Sequence, residues 1–159
     1  MAQKQKLPFT PIQKLLETLC GLVLLSSAII LAVLWSSVPD PAPSYGFDGS
    51  ISEWIAKNLL MLYPILALVI FSLISGSLFL IAPRQGEQSE QKKQIYRTTR
   101  TFLCTVNLEI MVLFGYLALS SALSNPLIPY FLLGILLFFF VTIILFCILV
   151  LRRVRACFV

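Results

Sequence analysis

The chain has 159 residues, 58% of them hydrophobic and 12% charged, with a net charge of +5 and no histidine. A soluble domain is roughly 45–50% apolar and about 25% charged, so this composition, with a mean hydropathy of +0.93, excludes an ordinary soluble protein and predicts a single integral membrane domain. Nucleic acid is not an expected partner, because the basic residues fall where a membrane protein keeps them for orientation and no binding motif accompanies them.

Residues 1–14 form a polar leader with Lys4, Lys6 and Lys14. Thr10 before Pro11 predicts a helix cap with proline in the first turn. The first span is predicted over 15–35, which meets the roughly 20 residues needed to cross a ~30 Å hydrocarbon core. It is too long for the apolar region of a cleaved signal peptide. Glu17 follows Lys14 by three residues and reads as an interfacial pair. Ala28, Ala32 and Ser36 make a small-residue stripe suited to close helix packing.

The outer loop covers 37–58. Pro39, Pro41 and Pro43 hold its first part extended. Tyr45-Gly46-Phe47-Asp48-Gly49 is turn chemistry. Ser50-Ile51-Ser52-Glu53 matches a capping box and predicts a helix from Ile51. That short interfacial helix would lead into the second span, 59–82. Trp54 and Tyr63 would sit at the membrane surface, with a bend near Pro64. Ser72 and Gly76 repeat the small-residue spacing, and Pro83 ends the helix.

Residues 83–100 form a second polar loop, suited to contact with anionic lipid. From Glu90 the composition favours helix, with Glu90 and Lys93 paired, so the third span at 101–123 should extend into this loop. Ser124-Asn125-Pro126 predicts a tight turn. The fourth span covers 127–151 and carries Phe138, Phe139 and Phe140. Arg152, Arg153 and Arg155 close the chain. Every Lys and Arg except Lys57 lies in the leader, the 83–100 loop or the tail, so both termini are expected in the cytoplasm. The predicted fold is all-α: an integral four-helix bundle in the cell membrane, with a structured outer loop.

Glu109 is the one charged residue deep inside a predicted span. A charge there costs on the order of 2.5–3.5 kcal/mol on insertion scales, and such groups face a partner or a cavity. It reads either as a proton-linked or cation-binding carboxylate or as a hydrogen-bonded group that fixes helix packing. Asn107, two residues away, projects from another face of the helix. Asp40 and Asp48 read as turn residues.

Without histidine, Ser-His and Cys-His catalysis is excluded. No phosphate-binding glycine loop is present. Cys20, Cys104, Cys147 and Cys157 form no C-x-x-C pair, so no metal site is expected. Their expected cytoplasmic placement disfavours disulfides. Cys20 and Cys157 are predicted to lie beside the membrane, where lipidation is a further reading. No cofactor is implied, and the chain reads as non-enzymatic.

The order Trp-Ser-Ser-Val-Pro-Asp-Pro-Ala-Pro, then Gly46-Phe47-Asp48-Gly49, then Trp54, Lys57 and Tyr63-Pro64 resembles the N-terminal membrane domain of SdpI-type bacterial multi-pass proteins, a domain of unknown function. The likeness covers about Leu34 to Ser75. The histidine usual in that pattern is Tyr45 here, so its role does not carry over. Some members protect cells against a membrane-active toxin. The resemblance thus implies a peptide or protein partner at the outer loop, around Tyr45, Phe47, Asp48 and Trp54. Two rival expectations are a small oligomeric transporter that uses Glu109 and a scaffold subunit of a membrane complex. A homo-oligomer fits either.

Overall fold

A computed structural model describes residues 8–46, 48–80, 90–125 and 130–155. The order is α1 (Pro11–Leu34), β1 (Ala42–Tyr45), β2 (Ile51–Ile55), α2 (Leu62–Leu80), α3 (Glu90–Leu123) and α4 (Phe131–Arg155). Short 3₁₀ turns cover Trp35–Ser37 and Lys57–Met61. All four helices are long and apolar enough to cross a membrane.

The start of α1 follows its sequence. The Gln13 N–H donates to Thr10 Oγ1 at 3.3 Å, and the Thr10 N–H donates to Gln13 Oε1 at 3.1 Å. This reciprocal cap satisfies two N–H groups that the helix cannot pair itself. Replacing Thr10 by alanine is expected to cost about 1 kcal/mol, read as a lower melting temperature in detergent.

α3 is the central element and packs against each of the other three helices. Its inner face explains why α1 comes so close. A methyl added at Gly115 would lie 3.3 Å from Ser27 Cβ, and Ala118, Ser121 and Ala122 continue the small, buried face. Beside this crossing, Cys20, Leu24, Ala67 and Met111 join α1, α2 and α3 in one apolar cluster. α4 packs chiefly on α3, through the stacked rings of Phe102 and Phe146 at 4.2 Å and the tilted pair Tyr116 and Phe131 at 3.9 Å. Among the described residues, none of α4 is buried.

α3 ends in a left-handed cap. Ser124 has φ 51°. Its N–H donates to Ser121 O, and the Asn125 N–H donates to Ser120 O at 3.1 Å. These two bonds satisfy carbonyls that the last turn would leave open.

Several expectations need correction. Ile51–Ile55 is a strand, antiparallel to Ala42–Tyr45, and not an interfacial helix. Ser50 does not cap Glu53; its hydroxyl and N–H both donate to Asp48. The non-local pairing with β1 outweighs the local capping signal, and Ile51, Trp54 and Ile55 are residues that suit strands. Helical structure therefore starts only at Lys57, as 3₁₀ turns, and α2 begins at Leu62. Pro64 falls in the first turn of α2, where a missing N–H is tolerated. The change of winding comes just before it. α4 begins at Phe131, later than predicted, and runs on to Arg155.

The two small-residue stripes are not packing seams within the chain. Ala32, Ser36, Ser72 and Gly76 are exposed. Cys20 is fully buried beneath α3, which removes it as a lipidation site. Glu17 takes Ser75 as its partner across two helices, so the predicted pairing with Lys14 is not the contact it makes. The predicted extension of α3 to Glu90 holds, with Lys93 Nζ 2.8 Å from Glu90 Oε1.

Candidate functional site

Three places gather polar or exposed side chains: the β1–β2 hairpin, the α3–α4 seam and the core of α1, α2 and α3.

The hairpin pairs Ala42 with Ile55, Pro43 with Trp54, Ser44 with Glu53 and Tyr45 with Ile51, leaving Ser52 as a bulge. Its tip closes through Gly46 N–H to Ser50 O at 2.9 Å, with Gly49 at φ 84°. That angle is open to glycine at no steric cost. β1 is the inner strand. Val38 and Ala42 are buried with Leu31, Leu60 and Ala122, and Trp35, Ile55 and Tyr63 pack around them. Two contacts hold the base. The Lys57 N–H donates to Asp40 Oδ1 at 3.3 Å, and the Lys57 ammonium sits 5.0 Å from the Trp35 ring centre. The hairpin thus stands on the adjoining ends of α1 and α3. β2 is the outer strand and is exposed along most of its length.

The structure separates the predicted loop residues. Trp54 is 61% exposed on β2. Asp48 is exposed at the tip, where the Ser50 hydroxyl and N–H hold its carboxyl below the usual carboxylate range. Tyr45 is turned inward, its hydroxyl buried without a hydrogen-bond partner among the described residues, and burial pushes its phenol up. A side chain packed inside cannot meet a partner directly. Phe47 lies outside the described residues.

The Asp48 cap has a pH signature. A carboxyl with a lowered folded pKa stabilises above its unfolded value and loses that contribution as pH falls through the folded one. Asp48 should therefore titrate below its ordinary value of 3.8, with the hairpin tip loosening only in that acid range. NMR titration checks this, and Ser50→Ala should move the midpoint back up.

In the α3–α4 seam, Glu109 is 8% exposed. Thr142 Oγ1 donates to Glu109 Oε1 at 2.7 Å. Glu109 Oε2 is buried with no partner among the described residues. A cavity of about 270 Å³ lies beside it, lined by Ile110, Leu113, Leu132, Ile135 and Phe139. The carboxyl therefore joins two helices in an apolar slot.

Asn107 faces the opposite way, as expected, and takes part in a cluster that sequence reading missed. Ser75 Oγ on α2 donates to Glu17 Oε2 on α1 at 2.8 Å, and Asn107 Nδ2 on α3 reaches Ser75 Oγ at 3.4 Å. The Cys104 thiol lies beside the Glu17 carboxylate, and the Cys20 thiol points at Cys104 O. One turn lower, the fully buried Gln13 donates to Arg97 O and to Thr101 Oγ1, both at 3.0 Å. The one available signal was a glutamate, a serine and an asparagine, each inside an apolar run. Nothing local says that three helices bring them together.

No family model matches the chain, and no curated protein or solved structure matches it either.

Proposed function

We propose that this is a non-catalytic, multi-pass protein of the cell membrane whose outer hairpin binds an extracytoplasmic peptide or protein. In this reading the four helices form a membrane bundle with both termini in the cytoplasm, as the cationic flanks favour. The likeness to SdpI-type proteins points to immunity or sensing. The observation that supports the reading is β2: a strand whose outer edge has no strand partner among the described residues, held on a packed base. Open strand edges accept extended segments through their free N–H and C=O groups. Ile51 and Trp54 offer apolar surface there.

The test is survival of cells that lack the gene when challenged with a membrane-active peptide toxin. The unaltered gene should restore survival, while Trp54→Ala and Ile51→Ser should restore it poorly at equal protein levels. Equal survival with and without the gene removes the immunity reading.

A second reading is proton-linked transport by an oligomer through Glu109. The buried, unpartnered Glu109 Oε2 beside an apolar slot favours it, because ionisable residues inside a span mark proton relays and ion pathways. Glu109→Gln should then abolish proton-coupled uptake into vesicles, and full activity in that variant would remove the reading.

A further inference from the structure

We propose that Glu17, Ser75 and Asn107 form a binding site for a small monovalent cation of sodium type, shared by α1, α2 and α3. Each helix supplies one oxygen-bearing group. Ser75 links the other two, donating to Glu17 Oε2 at 2.8 Å and accepting from Asn107 Nδ2 at 3.4 Å. Asn107 is completely buried. Two oxygens remain, Glu17 Oε1 and Asn107 Oδ1. Both are buried with no hydrogen-bond partner of ordinary geometry among the described residues, and the one donor beside the Glu17 carboxyl is the weak Cys104 thiol.

The sign of what is missing decides the ligand. Both orphan atoms are acceptors, and one belongs to a carboxyl group. A buried acceptor left unmet costs about 1–3 kcal/mol, more when charged. Two of them on groups that share one serine call for a donor or a cation, and the carboxyl charge favours the cation. The donors are hard oxygens of a carboxylate, an amide and a hydroxyl, which suit hard cations. A single carboxylate balances one positive charge. A divalent ion would bring one positive charge more than this carboxylate balances. Thiols are nearby, yet among the described residues no three His, Cys, Asp or Glu side chains converge on a metal position.

An approach route exists. Glu17 and Ser75 line a cavity of about 480 Å³ between α1 and α2, together with Lys14, Thr18 and Phe79. Lys14 is one helical turn before Glu17 and competes for the same charge.

The experiment uses the full chain in detergent, with its melting temperature followed as sodium chloride replaces choline chloride at constant ionic strength. A ligand that binds only the folded state raises this temperature in a saturable manner. The unaltered protein should show that rise. Glu17→Gln and Asn107→Ala should lose it, and Lys14→Gln should reach half-saturation at several-fold lower sodium. Should Glu17→Gln fail to fold, sodium NMR line broadening by the unaltered protein, relieved by excess lithium, carries the same test. Identical melting in sodium and choline overturns the proposal.

Discussion

Leucine in place of Gly115 is expected to lower stability by on the order of 3 kcal/mol, the upper part of the range for overpacked cores. At this position the backbone of α3 lies directly against the Ser27 and Val23 side chains of α1. Even a single carbon would approach Ser27 Cβ to 3.3 Å and Ser27 Oγ to 3.6 Å. Alanine asks Ser27 to yield by a few tenths of an ångström and gains up to about 1 kcal/mol of helix propensity over glycine, so Gly115→Ala should come out near neutral. Leucine adds three further carbons with no room to relax, and the two helices must separate. Gly134 on α4 is the control. Nothing lies within 4 Å of a carbon added there, and Gly134→Ala should raise stability by roughly 0.5–1 kcal/mol. Melting in detergent reads all three. At about 2–4 °C per kcal/mol for a protein of this size, Gly115→Leu should melt several degrees lower. A Gly115→Leu protein as stable as the original would mean that the α1–α3 crossing is not close.

Leu60→Ala should be as damaging, by a different route. Leu60 is fully buried where the hairpin meets the helices, against Leu31, Val38, Ala42 and Ala122. Truncating a buried leucine costs about 2–5 kcal/mol, depending on how far the site collapses. The loss falls on the joint that seats β1, so the hairpin should detach before the helices melt. Hydrogen exchange separates the two events. Residues 42–55 should lose protection while Leu24, Ala67 and Met111 keep theirs. Uniform loss of protection would show instead that hairpin and helices open as one unit.

What was legible in the sequence is what short-range chemistry controls. The four apolar lengths, the Thr10 cap, the Glu90–Lys93 pair and the turn at Ser124-Asn125 all depend on residues within a few positions of one another. The hairpin was not legible for the opposite reason. Ser50-Ile51-Ser52-Glu53 satisfies a capping rule locally, yet its partner strand begins at Ala42 and the turn between them lets Asp48 take the Ser50 donors. The site residues divide the same way. Glu109 was conspicuous as a charge among apolar neighbours, and its bond to Thr142 lies 33 residues away. Glu17 looked interfacial because Lys14 was near in sequence, whereas the group it meets is 58 residues on. The true packing face of α3, Gly115 with Ala118 and Ala122, has the small-residue spacing that Ala28 and Ala32 also show. Periodicity alone does not rank one such face above another.

The one-sided attachment of α4 bears on how the protein is made. Every described side chain that is fully sheltered precedes α4 in the chain, so the interior is drawn from parts synthesised before that helix. α4 adds to them chiefly along α3, where Thr142 Oγ1 donates to Glu109 Oε1. A chain stopped at Asn125 should therefore already resist proteolysis over its first three helices, and cleavage throughout them would show that α4 is needed to close the interior.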